Sequence, residues 1–155
     1  MRSMSDHDAG RFTVGVFQDA EWAGRGLEAL LRGGLLPESL TVMAAASPAA
    51  AALAERVLGR APETIRVAVV GEAAAAGPLV GVLQGSGSDL STLGLSGTMH
   101  RVGFQSHDAR IYEALVARGG VLVAIHSEPR AADALAVLHA YGGGNAAIGA
   151  WTGRL

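Results

Sequence analysis

The chain is predicted to be an α+β protein, a ferredoxin-like sandwich of two β-α-β halves with a Gly/Ala-rich insertion between them. Three observations predict this. A strand–helix–strand pattern occupies each end of the chain, at Arg11–Ala45 and Gly120–Trp151. Within the stretch between them, Ala73–Gly97 is rich in glycine and alanine and nearly free of charge. The 155 residues suit one domain with a real core. Two β-α-β units commonly combine into one sheet covered on one face by helices. The expected organisation is a mobile arm at residues 1–10, a single domain at 11–151 with the insertion at about 47–105, and a short tail at 152–155.

Taken in order, "RFTVGVF" (Arg11–Phe17) is rich in β-branched and aromatic residues and reads as a strand. A helix follows, with Asp19 as its cap and Glu21 in the first turn. Trp22, Ala23, Leu27, Leu30 and Leu31 form its apolar stripe, and Gly33–Gly34 end it. "SLTVMAA" (Ser39–Ala45) is the second strand. Ser47 caps a second helix with Pro48 in its first turn and Gly59 at its end. "ETIRVAVVG" (Glu63–Gly71) reads as one strand, continuous enough to be buried on both faces. Beyond the insertion, a helix runs from its cap Ser106 to the terminator Gly119. Gly120–Ser127 is the clearest strand of the chain; a helix rich in Ala and Leu and a closing strand at Asn145–Trp151 complete the pattern.

The central stretch admits three readings. A membrane span needs about 20 apolar residues, and Glu72 and Gln84 cut the run shorter than that. A phosphate loop of Walker type ends in Gly-Lys-Ser/Thr, and no lysine occurs here; "GSGSD" (Gly85–Asp89) also lacks the further glycine of a dinucleotide fingerprint. It retains the capacity for a small anion nest. The third reading rests on spacing. Gly77, Gly81 and Gly85 recur every fourth residue, which on a helix would leave one face bare for a close neighbour. Pro78 suits the first turn of such a helix, and the four alanines Ala73–Ala76 would extend its smooth surface. This packing reading is preferred, with Gly77, Gly81, Gly85 and Trp151 as the oligomer-packing residues and Trp151 covering a partner's sheet edge.

Composition points the same way. Charged residues are 17%, below the usual quarter, so part of the surface is expected to continue into a second copy. The 12 basic residues are scattered, which argues against nucleic acid as a partner. With no cysteine, disulfides and thiolate chemistry are excluded. The N-terminus carries no apolar signal stretch, so a cytoplasmic location is expected.

Catalytic and metal chemistry find no signature. His100, His107, Asp108 and His126 supply ligand types for zinc or nickel, but no pair has the helical i, i+4 spacing. Ser86, Ser88, Ser91, Ser96 and His100 form no nucleophile motif. Glu113 with Glu128 or Asp133 would make a carboxylate pair, yet each has a helix-surface explanation. Tyr112 and Trp22 are expected in the helix–sheet core. No catalytic residue, cofactor or metal ligand is therefore assigned.

Some segments carry a family likeness. "VGVF" with Asp19, "AAAAGPLVGVL", and then "GFQSHDARIYEALVARGGVLVAIHSEPRAADALAVLHAYGG" resemble the bacterial general stress protein family (heat-induced, 17M-like). The likeness rests on Tyr112, Glu113, Val116, Gly119, Gly120, Leu122, Val123 and Ile125, and on Gly77–Leu79. The centre of this chain is shorter and more polar than the long Gly/Ala runs of the family. The resemblance implies a stress-associated, non-enzymatic protein and carries over no catalytic residue. The sequence-level expectation is thus a self-assembling structural or interaction protein. The alternative is a regulatory domain binding an anion or nucleotide at "QGSGSDLS" near His126.

Overall fold

Asp19 starts the first helix as its sequence position suggests, its carboxylate accepting from the Trp22 N–H at 2.9 Å. Ser47 does the same for the second helix, accepting from the Ala50 N–H at 3.0 Å, and Gly59 ends that helix in the left-handed conformation at φ 77°. Each cap satisfies backbone groups that a helix end leaves orphaned. The computed structural model describes residues 12–85 and 87–126, with positions 136, 137 and 140. The order is β1 (Phe12–Phe17), α1 (Ala20–Arg32), a 3-10 turn (Pro37–Ser39), β2 (Leu40–Ala45), α2 (Pro48–Leu58), β3 (Glu63–Val67), β4 (Gly71–Ala76), α3 (Pro78–Gln84), α4 (Asp89–Arg101), α5 (Ser106–Ala117) and β5 (Val121–His126). Of the helix expected at 128–144 only positions 136, 137 and 140 are described, each helical; the expected arm, the closing strand and the tail lie outside the described residues.

The five strands form one open sheet in the order β1-β5-β2-β4-β3, and every neighbouring pair is antiparallel. The fold is α+β. Its first two helical crossovers each skip a strand: α1 carries the chain from β1 over β5 to β2, and α2 from β2 over β4 to β3. Alternation along the strands then divides the core in two. Phe12, Val14, Met43, Ala73, Ala75 and Leu122 face α3, α4 and α5, while Phe17, Leu40, Val42, Ala74, Val123 and Ile125 face α1 and α2. Helices cover both faces, not one, so the sandwich has three layers. Burying each of the larger side chains, such as Leu27 or Leu83, is worth about 1.5–3 kcal/mol relative to exposure.

Two expectations for the middle of the chain are overturned. Glu63–Gly71 is not one buried strand: the chain reverses at Ala68–Val70 and returns as β4. β-branched residues run straight through the reversal and conceal it, with Val69 itself at φ 76° and Gly71 at φ 97°. The alanines Ala73–Ala76 are not a helical surface but a central strand, paired with β2 on one side and β3 on the other. Helix propensity favours alanine only weakly, and the space between two helical layers rewards small side chains in a strand. Residues 47–105 accordingly build two strands of the sheet and are not an appendage between two halves.

Candidate functional site

The fourfold spacing in Gly77–Gly85 predicts three glycines on one helical face. The structure separates them. Gly77 caps α3 from outside the helix at φ 122°, Gly81 lies in its interior, and Gly85 follows its last turn at φ 55°. A Cβ on Gly77 would collide with the Leu40 carbonyl oxygen and with Thr41 Cα. Only glycine fits there, for its dihedral angle and for the closeness of β2. Thr41, fully buried, accepts from the Leu79 N–H through its Oγ1 at 3.0 Å and satisfies an orphan donor of the helix from a strand 38 positions away. Leu79, Val80 and Leu83 then bury against the sheet.

The other end of α3 is tied by Arg101. Its guanidinium donates to the Leu83 carbonyl at 2.9 Å and the Val82 carbonyl at 3.3 Å, and pairs with Asp89 at 3.3 Å. Gln84 Oε1 accepts from the Leu90 N–H at 3.1 Å. The glycine–serine loop is therefore braced from within. Arg101, the cation that an anion nest there would recruit, is spent on the protein's own carbonyls and on Asp89.

Farther along, α4 breaks at Gly94 (φ 76°, ψ 178°). The carboxylate of Glu113, on α5, accepts from the Ser96 N–H at 3.1 Å and so caps the second half of α4. Tyr112, next to it, points into the core, edge-on to Phe104 at 6.4 Å. Its hydroxyl has no hydrogen-bond partner among the described residues. Burial, and to a lesser degree the charge of Asp108, pushes its ionisation well above the usual tyrosine range. That environment suits a packing residue and not an acid or base working near neutrality. Tyr112 and Glu113, two of the residues that carry the family resemblance, thus have structural duties. Trp22, expected in the core, sits at its margin with the Arg25 guanidinium 5.0 Å from its ring.

No three metal-ligating side chains gather among the described residues. His126 stacks on Phe12 at 4.5 Å, its cross-strand partner. Ser91 Oγ and Thr92 Oγ1 donate to the Ser88 carbonyl at 2.9 and 3.0 Å, and Ser96 offers its backbone to Glu113. Ser86, Glu128, Asp133 and Trp151 lie outside the described residues.

What remains open is Gly81. It is exposed, and a Cβ there would meet nothing within 4 Å. It lines a cleft of about 300 Å³ at the base of the β3–β4 hairpin, together with Arg60, Glu63, Ala75, Val80 and Gln84. Nothing local in the sequence marks Arg60 and Glu63; they reach the cleft only through the pairing of β3 with β4.

Fold and site together define an α+β protein with an open antiparallel sheet, a solvent-exposed edge strand β3 and a bare helical turn exposed beside that strand. No protein-family model matches the chain, and no curated protein or solved structure matches it significantly. No helix among the described residues is long and apolar enough to cross a membrane.

Proposed function

We propose that this chain is a non-enzymatic structural or interaction protein that self-assembles through the exposed turn of α3, in the cytoplasm and as part of a stress response. The observation that carries self-assembly is Gly81. Its neighbours Gly77 and Gly85 are needed inside the subunit, while a side chain at Gly81 would meet nothing there and an exposed helical glycine costs about 1 kcal/mol against alanine. A bare backbone in a cleft gains back that cost when a second copy packs on it. The stress association rests on the family resemblance alone.

The alternative, an anion or nucleotide held at residues 84–91, has weaker support. Arg101 is already engaged there, and His126 stacks on Phe12. Light scattering on Gly81→Leu and Gly81→Ala tests the main reading. A smaller assembly in the leucine variant is the expected result. An unchanged mass, with both variants simply melting higher than the parent as solvent-exposed helix positions do, overturns it.

A further inference from the structure

We infer that two copies of this chain join through their β3 strands, antiparallel about Ile65, so that Val69 of each subunit seats in the other's Gly81 cleft. The inference rests on the self-assembly proposed above and names its geometry.

Three features of the hairpin lead to it. First, β3 ends the sheet with no strand beyond it among the described residues, and Glu63, Thr64 and Arg66 are exposed. The opposite edge is unavailable, since all six residues of β1 are buried. Second, Val69 at the hairpin tip is 75% exposed and holds φ 76°, a conformation that a β-branched residue adopts only at a cost. Glycine or asparagine would be the local choice for such a turn. An apolar, strained side chain held out into water points to an occupant. Third, the hairpin carries its cleft at the other end, lined by Ala61, Glu63, Ala75 and Gly81.

A two-fold axis through Ile65 connects these features. Antiparallel pairing about that residue sets Thr64 opposite the partner's Arg66 and Glu63 opposite the partner's Val67. Beyond Val67 each chain turns back at Ala68–Val70, so the hairpin tip that carries Val69 comes to lie beside the Ala61 end of the partner's β3, where the partner's cleft opens. The knob at one end of the strand thus meets the hollow at the other, twice, and the symmetric contact leaves neither free to propagate. The charges agree with this direction. In-register parallel pairing would set Glu63 against Glu63 and Arg66 against Arg66, whereas the antiparallel register sets each charge opposite an uncharged side chain, Val67 or Thr64. The hairpin tip leans toward α4, where the Ala68 N–H donates to the Leu90 carbonyl at 3.1 Å. That is the face on which α3 and the cleft lie, and a two-fold axis normal to the sheet keeps it so in both copies.

The absence of cysteine in the chain allows a clean test. The double variant Thr64→Cys/Arg66→Cys alters only exposed side chains. Directly opposed residues of antiparallel strands have Cα atoms about 4.5–5.5 Å apart, within disulfide reach. Mild oxidation is expected to give a covalent dimer whose digest contains a disulfide from position 64 of one chain to position 66 of the other, while neither single variant cross-links efficiently. In the second arm Val69→Gly, checked for native circular dichroism, is expected to weaken dimerisation at least tenfold while raising the melting temperature of the monomer. A dimer that survives Val69→Gly unchanged, or that forms without the link between positions 64 and 66, overturns this docking and leaves the Gly81 reading standing. A parent protein that is monomeric at every concentration overturns both.

Discussion

The two edges of the sheet are opposites. β1 is buried along its whole length, whereas β3 is exposed at Glu63, Thr64 and Arg66. Sheet edges are hazards because their backbone groups solicit further strands. One edge strand of this molecule is buried, with Phe12, Val14 and Phe17 at 0% exposure. The other carries charge and stands beside a cleft. The contrast teaches that the same backbone problem has been given two solutions in one sheet, and that only the second leaves room for a partner.

The comparison can be broken most forcefully at the junction between the edges. Gly77→Ala forces a methyl into the Leu40 carbonyl and Thr41 at a φ of 122°. It should cost at least about 3 kcal/mol in chemical denaturation, because backbone strain and overpacking add. On the buried edge strand, Val14→Ala should cost about 1–3 kcal/mol, mostly lost burial. Glu113→Ala, which uncaps the second half of α4, should come next at about 1–2 kcal/mol. The matching change on the open edge, Thr64→Ala, should stay within about 0.5 kcal/mol in a subunit unfolding alone. Equal costs at Val14 and Thr64 would mean that β3 is as enclosed as β1. Tyr112→Phe should be the mildest at neutral pH, since the hydroxyl it removes has no partner among the described residues.

That last variant also separates from the parent by pH. The tyrosine ionises less readily folded than unfolded. Its contribution is complete below the ordinary tyrosine range and is lost as pH rises above about 10, where the unfolded chain releases the proton and the folded one holds it. Melting curves should therefore show the parent losing stability above that range, and Tyr112→Phe losing less.

Local rules make part of this fold legible. Asp19, Ser47 and Gly59 sit where capping chemistry puts them, and β1, β2 and β5 fall within a residue or two of their expected spans. What is not legible depends on distance. The turn at Ala68–Val70 lacks turn residues before Gly71, and the tract Ala73–Ala76 becomes a strand only because β2 and β3 flank it. The fourfold spacing of Gly77, Gly81 and Gly85 is real, but its cause is two helix ends around one interior glycine. Spacing cannot distinguish a stripe from a pair of brackets. The cleft residues Arg60 and Glu63 need the hairpin before they can be placed beside Gly81.

The bond from Leu79 to Thr41 has one more consequence. A seven-residue helix is far too short to persist on its own, so α3 must wait until β2 is in place to receive it. The amide proton of Leu79 is therefore a gauge of the central sheet. Its exchange with deuterium should keep pace with the slowest protons of β2, and any event that loosens β2 should first be heard there.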